Sequence, residues 1–129
     1  MLALPSLLDL RLNATPFRDF GALSLCTALV RLELACNFWE TDEDVVRLAA
    51  TLRRLPALQH LNLADTLTDS SPFAAVASSI AMLSHLSHLD ISGIPLGFDD
   101  TCALGAALQV GWSKGLMSVQ PLSGKTSNW

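Results

Sequence analysis

Residues Leu55 to Thr66, LPALQHLNLADT, read L-x-x-L-x-x-L-x-L-x-x-T, and the same spacing returns three more times in the chain. The copies are Leu4, Leu7, Leu10 and Leu12; Cys26, Leu29, Leu32 and Leu34; Leu55, Leu58, Leu61 and Leu63; and Leu83, Leu86, Leu89 and Ile91. All sixteen aligned positions are Leu, Ile or Cys, and the second and third steps between copies are nearly equal, the first being shorter. Self-similarity at a period in the twenties marks a stack of like units.

Each copy ends on an L-x-L step, the alternation of a short strand. Leu61 and Leu63 then face inward while His60, Asn62 and Ala64 face outward. Between the strands the period changes. Val45, Leu48, Ala49, Leu52 and Leu55 follow a helical stripe, and Phe73, Val76, Ala77, Ile80 and Leu83 reproduce it one unit later, at every position. A strand followed by a helix, each with one apolar face, cannot bury itself alone, so the units are expected to stack. The fold class is α/β, a solenoid.

These residues resemble the leucine-rich repeat family, and the 28–29 spacing with a full helix is similar to its ribonuclease-inhibitor-like subclass. The resemblance covers roughly residues 4 to 109. It implies a right-handed β-α superhelix with a parallel sheet on the concave wall and helices on the convex wall. Family members include ribonuclease inhibitor, Ran GTPase-activating protein and the sensor domains of NOD-like receptors, which use the repeats to grip other macromolecules. Residues 1–110 read as an array of about four repeats, starting near Leu4, Cys26, Leu55 and Leu83, and 111–129 as a degenerate repeat or a disordered tail. In register, the next unit would place its apolar positions at Gly111, Lys114, Met117 and Val119, and only the last two fit. At most one frayed strand, Leu116–Val119, is expected there.

Composition sets the remaining bounds. The hydrophobic fraction is 50%, with 16% charged, so a substantial core is available in 129 residues. Fully burying one Leu contributes about 1.5–3 kcal/mol, most of which backbone ordering consumes. The net charge is −4 with acids and bases interspersed, unlike the basic stripe of a nucleic-acid binder. No apolar run is long enough to span a membrane. The N-terminus lacks a basic flank and is already a repeat, so it does not read as a signal peptide. The three cysteines, Cys26, Cys36 and Cys102, form no CxxC and no even framework. A cytoplasmic location fits, and there the sequon Asn13-Ala14-Thr15 stays idle. No polar segment caps the first repeat, so the chain is expected to be a monomer or part of a longer one.

Local signals place the elements. The shorter first unit leaves room only for a turn of 3₁₀ or irregular helix, with Phe17, Phe20 and Leu23 filling the core. Thr41 and Asp44 have capping-box spacing, and Asp42, Glu43 and Asp44 complement the positive end of the second unit's helix on a solvated face, as Arg53 and Arg54 do its other end. Asn37 is expected to satisfy backbone groups at its bend; Thr15 and Thr66 do so in part, and Ile94 cannot. Trp39 reads as an exposed anchor or, more in keeping with its place, as an inward-turned hydrophobe closing the loop, as Leu96 does. Ser71 and Pro72 start the third helix, and Asp99 and Asp100 the fourth.

The outward strand positions are where function is sought. One column reads Asp9, Arg31, His60, His88, and the next Arg11, Glu33, Asn62, Asp90. Neighbouring strands lie about 4.8 Å apart, so Asp9 is expected to pair with Arg31 and Arg11 with Glu33. These eight residues are the candidate partner-binding set. His60, His88 and Asp90 could hold zinc, but they lack a fourth ligand and a spacing signature. Ser123–Thr126 matches the end of a phosphate-binding loop, but Val119 stands where its first glycine belongs. No catalytic residue, metal or cofactor is expected. The chain therefore reads as a non-enzymatic module that binds a protein partner through its concave strand face and adjoining loops, with no nucleic-acid or membrane partner. The alternatives are a small-GTPase regulator resembling Ran GTPase-activating protein, and an inactive fragment of a larger array. That family's tail is acidic, whereas this one is uncharged or basic.

Overall fold

The structure is a computed structural model, and it describes residues 6–15, 17–37, 39, 41–66, 73–94, 102–106, 109 and 118–120. Strands and helices alternate as β1 (Asp9–Arg11), α1 (Phe20–Leu23), β2 (Arg31–Glu33), α2 (Asp42–Leu52), β3 (His60–Asn62), α3 (Phe73–Ala81), β4 (His88–Asp90) and, after a helical stretch at 102–106, β5 (Ser118–Gln120). The five strands form one open sheet in the order β1-β2-β3-β4-β5, every pair parallel. The fold is thus α/β, with an all-parallel sheet and helices.

The alternation of the L-x-L steps explains which face meets the helices. Leu32, Leu34, Leu61, Leu63, Leu89 and Ile91 are all buried. They share one core with the helical stripes Val45, Leu48, Ala49, Leu52 and Phe73, Val76, Ala77, Ile80, also all buried. Leu7, Leu10 and Leu12, in the edge unit, are only partly covered. Register passes from unit to unit through a shared carbonyl ahead of each strand. The Leu8 oxygen accepts from Val30 and Arg31 N–H at 2.8 and 3.0 Å, and the Val30 and Gln59 oxygens do the same one unit on.

Each described strand exit turns through one left-handed residue, Ala14, Cys36, Asp65 or Gly93, with φ of 56°, 60°, 54° and 75°. A left-handed residue with a Cβ costs about 1–2 kcal/mol, so three of these positions carry that cost. The N–H groups of Ala14, Cys36 and Asp65 donate to the next turn's Ala35, Ala64 and Ser92 carbonyls at 2.8–2.9 Å, which helps to offset it. At Gly93 a side chain is excluded on two counts: its φ is positive and a Cβ would fall 1.8 Å from Asp65 Oδ1.

The bend expectations hold. Asn37 Nδ2 donates to the Leu34 and Leu12 oxygens at 2.7 and 3.0 Å, and its Oδ1 accepts from Phe17 N–H at 3.2 Å. Thr15 and Thr66 hydroxyls reach Leu12 and Leu63 oxygens at 2.8 and 2.7 Å. Ile94 offers only its backbone N–H to Ile91, at 3.4 Å. Trp39 turns inward and is fully buried, with Nε1–H donating to the Phe17 oxygen at 2.9 Å and its ring 5.5 Å from Phe20.

Four expectations need correction. The first unit holds a single α-helical turn, not 3₁₀ or irregular helix, because Asp19 caps it by accepting from Ala22 N–H at 3.1 Å. Thr41 does cap α2, accepting from Asp44 N–H at 3.2 Å, but the Asp44 carboxylate is buried, not solvated, and pairs with Arg18 at 3.0 Å. Arg53 leaves the end of α2 and reaches across to Ser79 Oγ at 3.1 Å. The last strand is Ser118–Gln120, with Leu89 opposite Val119, so it arrives slightly later along the chain than the repeat predicts. Leu4, Ser71, Pro72, Leu96, Asp99, Asp100 and Ser123–Thr126 lie outside the described residues. Among the described residues, no helix is long and apolar enough to cross a membrane.

Candidate functional site

The parallel register brings the eight candidate residues together as two columns on the face of the sheet away from the helices. Asp9, Arg31, His60 and His88 stand opposite one another in turn, and so do Arg11, Glu33, Asn62 and Asp90. Ion pairing runs mainly along the strands, contrary to the expected cross-strand Asp9–Arg31 pair. Arg11 forks onto Asp9, its Nε and NH2 each 3.1 Å from a carboxylate oxygen, and Arg31 holds Glu33 at 2.7 and 2.8 Å. Residues i and i+2 share a face of a strand, so these pairs lie on the same outward wall. The expected Arg11–Glu33 pair forms at 3.9 Å.

These contacts set the charge states. The Arg11 hydrogen bond holds the Asp9 carboxyl below its ordinary range, and Asp9 in return raises Arg11. Glu33 is lowered first by the Asn13 amide at 2.9 Å and then by Arg31, against the opposing effect of its burial. His60 is pushed below its ordinary value by burial, then by the Arg31 charge, with smaller pressure from His88 and Arg11 and relief from Glu33.

The structure divides the eight residues by what else they do. The N–H groups of Ala64 and Ser92 lie at equivalent points of two turns and donate to Asn62 Oδ1 and Asp90 Oδ1, both at 3.0 Å. At the corresponding place in the second unit, Glu33 is too long to close that ring. Asn13 of the neighbouring strand accepts from Ala35 N–H instead, at 2.8 Å, and donates its amide to Glu33. Glu33, Asn62 and Asp90 are therefore committed to strand exits. Asp9, Arg11, His60 and His88 carry no such duty.

His60 and His88 stack with ring centroids 5.8 Å apart and 28° between planes. They line an open groove of about 630 Å³ at the strand starts, together with Leu8, Asp9, Val30, Arg31, Gln59 and Ser87. A smaller recess of about 290 Å³ continues from it over Glu33, Asn62 and Asp90. On the helix side a cleft of about 450 Å³ between α1 and α2 is rimmed by Arg18, Arg47 and Arg54. Its charge is largely spent, since Arg18 is held by Asp44 and Arg47 by Glu43. Among the described residues, no three His, Cys, Asp or Glu side chains come together to hold a metal ion.

Sequence reasoning missed Ser79 and Thr51, two buried hydroxyls at the same place in successive units. Ser79 Oγ donates to the Ala49 oxygen at 2.7 Å, and Thr51 Oγ1 to the Phe20 oxygen at 3.4 Å, each reaching back to the preceding helix. Their equal places in the helical repeat were the available signal. No family model matches the chain, and neither a curated protein nor a solved structure does.

Proposed function

We propose that this chain is a leucine-rich repeat solenoid of the ribonuclease-inhibitor-like kind, and that it acts as a non-enzymatic module gripping a protein partner on its concave strand face. In support of the architecture, strand and helix alternate in one parallel order, and each described strand exit repeats the same left-handed step. The observation that carries the function is the registered pair of columns, eight polar side chains held on short strands above a closed core. Such a wall offers directional contacts whose positions are fixed before a partner arrives, which lowers the ordering cost of binding. The three cysteines are free thiols, in keeping with a reducing, cytoplasmic setting.

The test is affinity capture from a cytosolic extract, comparing the chain with a variant carrying D9S, R11S, H60Q and H88Q. Glu33, Asn62 and Asp90 are left intact because they hold the turns. Partners that bind the chain and are lost from a variant with unchanged circular dichroism support the concave face. An identical captured set would move the interface to the helices.

A further inference from the structure

The columns are not chemically uniform. At the strand starts Arg31, His60 and His88 follow one another on adjacent strands, and all three line the larger groove. The carboxylates around them are already engaged. Asp9 takes Arg11, Glu33 takes Asn13 and Arg31, and Asp90 accepts from the Ser92 hydroxyl at 2.6 Å and its N–H. On the far side of His88, β5 supplies no titratable residue. Among the described residues, neither imidazole in this column is paired with an acid.

Ser87 Oγ lies between His88 Nδ1, at 2.9 Å, and the Gln59 carbonyl oxygen, at 3.1 Å. A neutral imidazole offers a carboxylate at most one uncharged donor. In the protonated ring both nitrogens donate, so Nδ1 engages Ser87 Oγ and Nε2 is left as a charged donor. A hydrogen bond from a cationic donor to a carboxylate is about twice as strong as a neutral one.

We propose that the Arg31–His60–His88 column is a carboxylate subsite, which takes an Asp or Glu side chain from an acidic segment of the partner as its histidines gain a proton. This rests on the reading of the strand face as the partner-binding surface and adds the partner's chemistry and its pH sense. In the free chain, Arg31 and the stacked ring oppose charge on His60. The groups facing the pair are Asp9, Arg11, Arg31, Glu33 and Asp90; Arg31 is already held by Glu33, so the charge an incoming carboxylate meets is the one the two rings gain. Binding and protonation therefore reinforce each other, and affinity rises as pH falls.

The experiment titrates the full chain with blocked hexaglutamate, and with hexaglutamine as the uncharged control, at about pH 5.5 and pH 8, on either side of the histidine range. Binding is followed by nitrogen chemical shifts, those of the three imidazoles included. Hexaglutamate should bind at least about tenfold more tightly at the lower pH, the equivalent of one unit of pKa. It should also move the imidazole nitrogen shifts of His60 and His88, and leave those of the exposed turn residue His85 unmoved. H88Q should weaken the pH dependence and the double variant H60Q,H88Q should abolish it, while H85Q keeps it. No hexaglutamate binding at either pH, equal affinity at both, tighter binding at the higher pH, or the same dependence in folded H88Q would each overturn the proposal. Each of these results leaves the capture experiment free to succeed, so the two readings fail separately.

Discussion

Between α1 and α2 the chain has a single helical turn to work with, whereas α2 and α3 meet as helices of 11 and 9 residues. The longer joint is made of aliphatic stripes, fastened by Ser79, whose hydroxyl donates to the Ala49 oxygen and accepts from Arg53. The shorter one substitutes rings for missing turns. Phe17 and Phe20 pack edge-on at 6.0 Å, Trp39 lies over Phe20, and Arg18 reaches over to buried Asp44. A lost helical turn is thus replaced by larger side chains that come partly from the loop, so this joint depends on fewer residues.

Trp39→Ala tests that dependence most severely. It should cost about 3–5 kcal/mol, as truncation of a buried aromatic does. Amide exchange should show α1 and β1 opening while α2 and α3 keep their protection. Uniform loss of protection in both joints would show that they are not separable. Ser79→Ala probes the other side and should cost about 1–2 kcal/mol by denaturant midpoint, because Arg53 and the Ala49 carbonyl lose a buried partner. A loss as large as that of Trp39→Ala would erase the distinction. Arg18→Ala should cost under about 1 kcal/mol, since an ion pair with one exposed member is screened by solvent. That loss should shrink further in high salt.

Much of the architecture was legible because one residue type marks it. The leucine spacing indicated the strand positions, their register through β4 and both helical stripes, all of which depend on periodicity. Asn37, Thr15, Thr66 and Ile94 were legible as well, since each acts on backbone within its own bend, although the reach of Asn37 to Leu12 and Phe17 of the preceding unit was not. The Arg18–Asp44 pair was not, because it joins positions far apart in sequence and in different units, and Asp44 sat where a helix-dipole role already accounted for it. The division among the candidate site residues was hidden for a similar reason. Whether Asn62 and Asp90 bind partners or close turns depends on where the N–H two residues on points, just ahead of the left-handed step at Asp65 and Gly93. Glycine signals such a step, but Ala14 and Cys36 do not.

The smallest expected effect is the pH dependence of stability, and it sets one residue of each column against the other. Glu33 is lowered from 4.5, so its contribution is complete above that value and is lost as pH falls through its folded one. His60 is lowered from 6.5, so below 6.5 the unfolded chain binds more protons than the folded one and stability declines. Denaturant midpoints should therefore fall in two stages on acidification. H60Q should flatten the upper stage and E33Q the lower. A midpoint that rises on acidification below 6.5 would mean that His60 gains a proton more easily in the fold.

Ala14, Cys36, Asp65 and Gly93 follow one another at unequal intervals along the chain, yet each launches its return path from the same backbone pose. The lattice of strands is therefore indifferent to how far the chain wanders before it comes back. Length drift is absorbed among the helices, where a turn added or removed changes no hydrogen-bonding partner on the opposite wall. A single-residue insertion inside a strand would instead swap its inner and outer side chains. Insertions of a few residues between α2 and β3 should accordingly be tolerated where one between Leu61 and Leu63 is not.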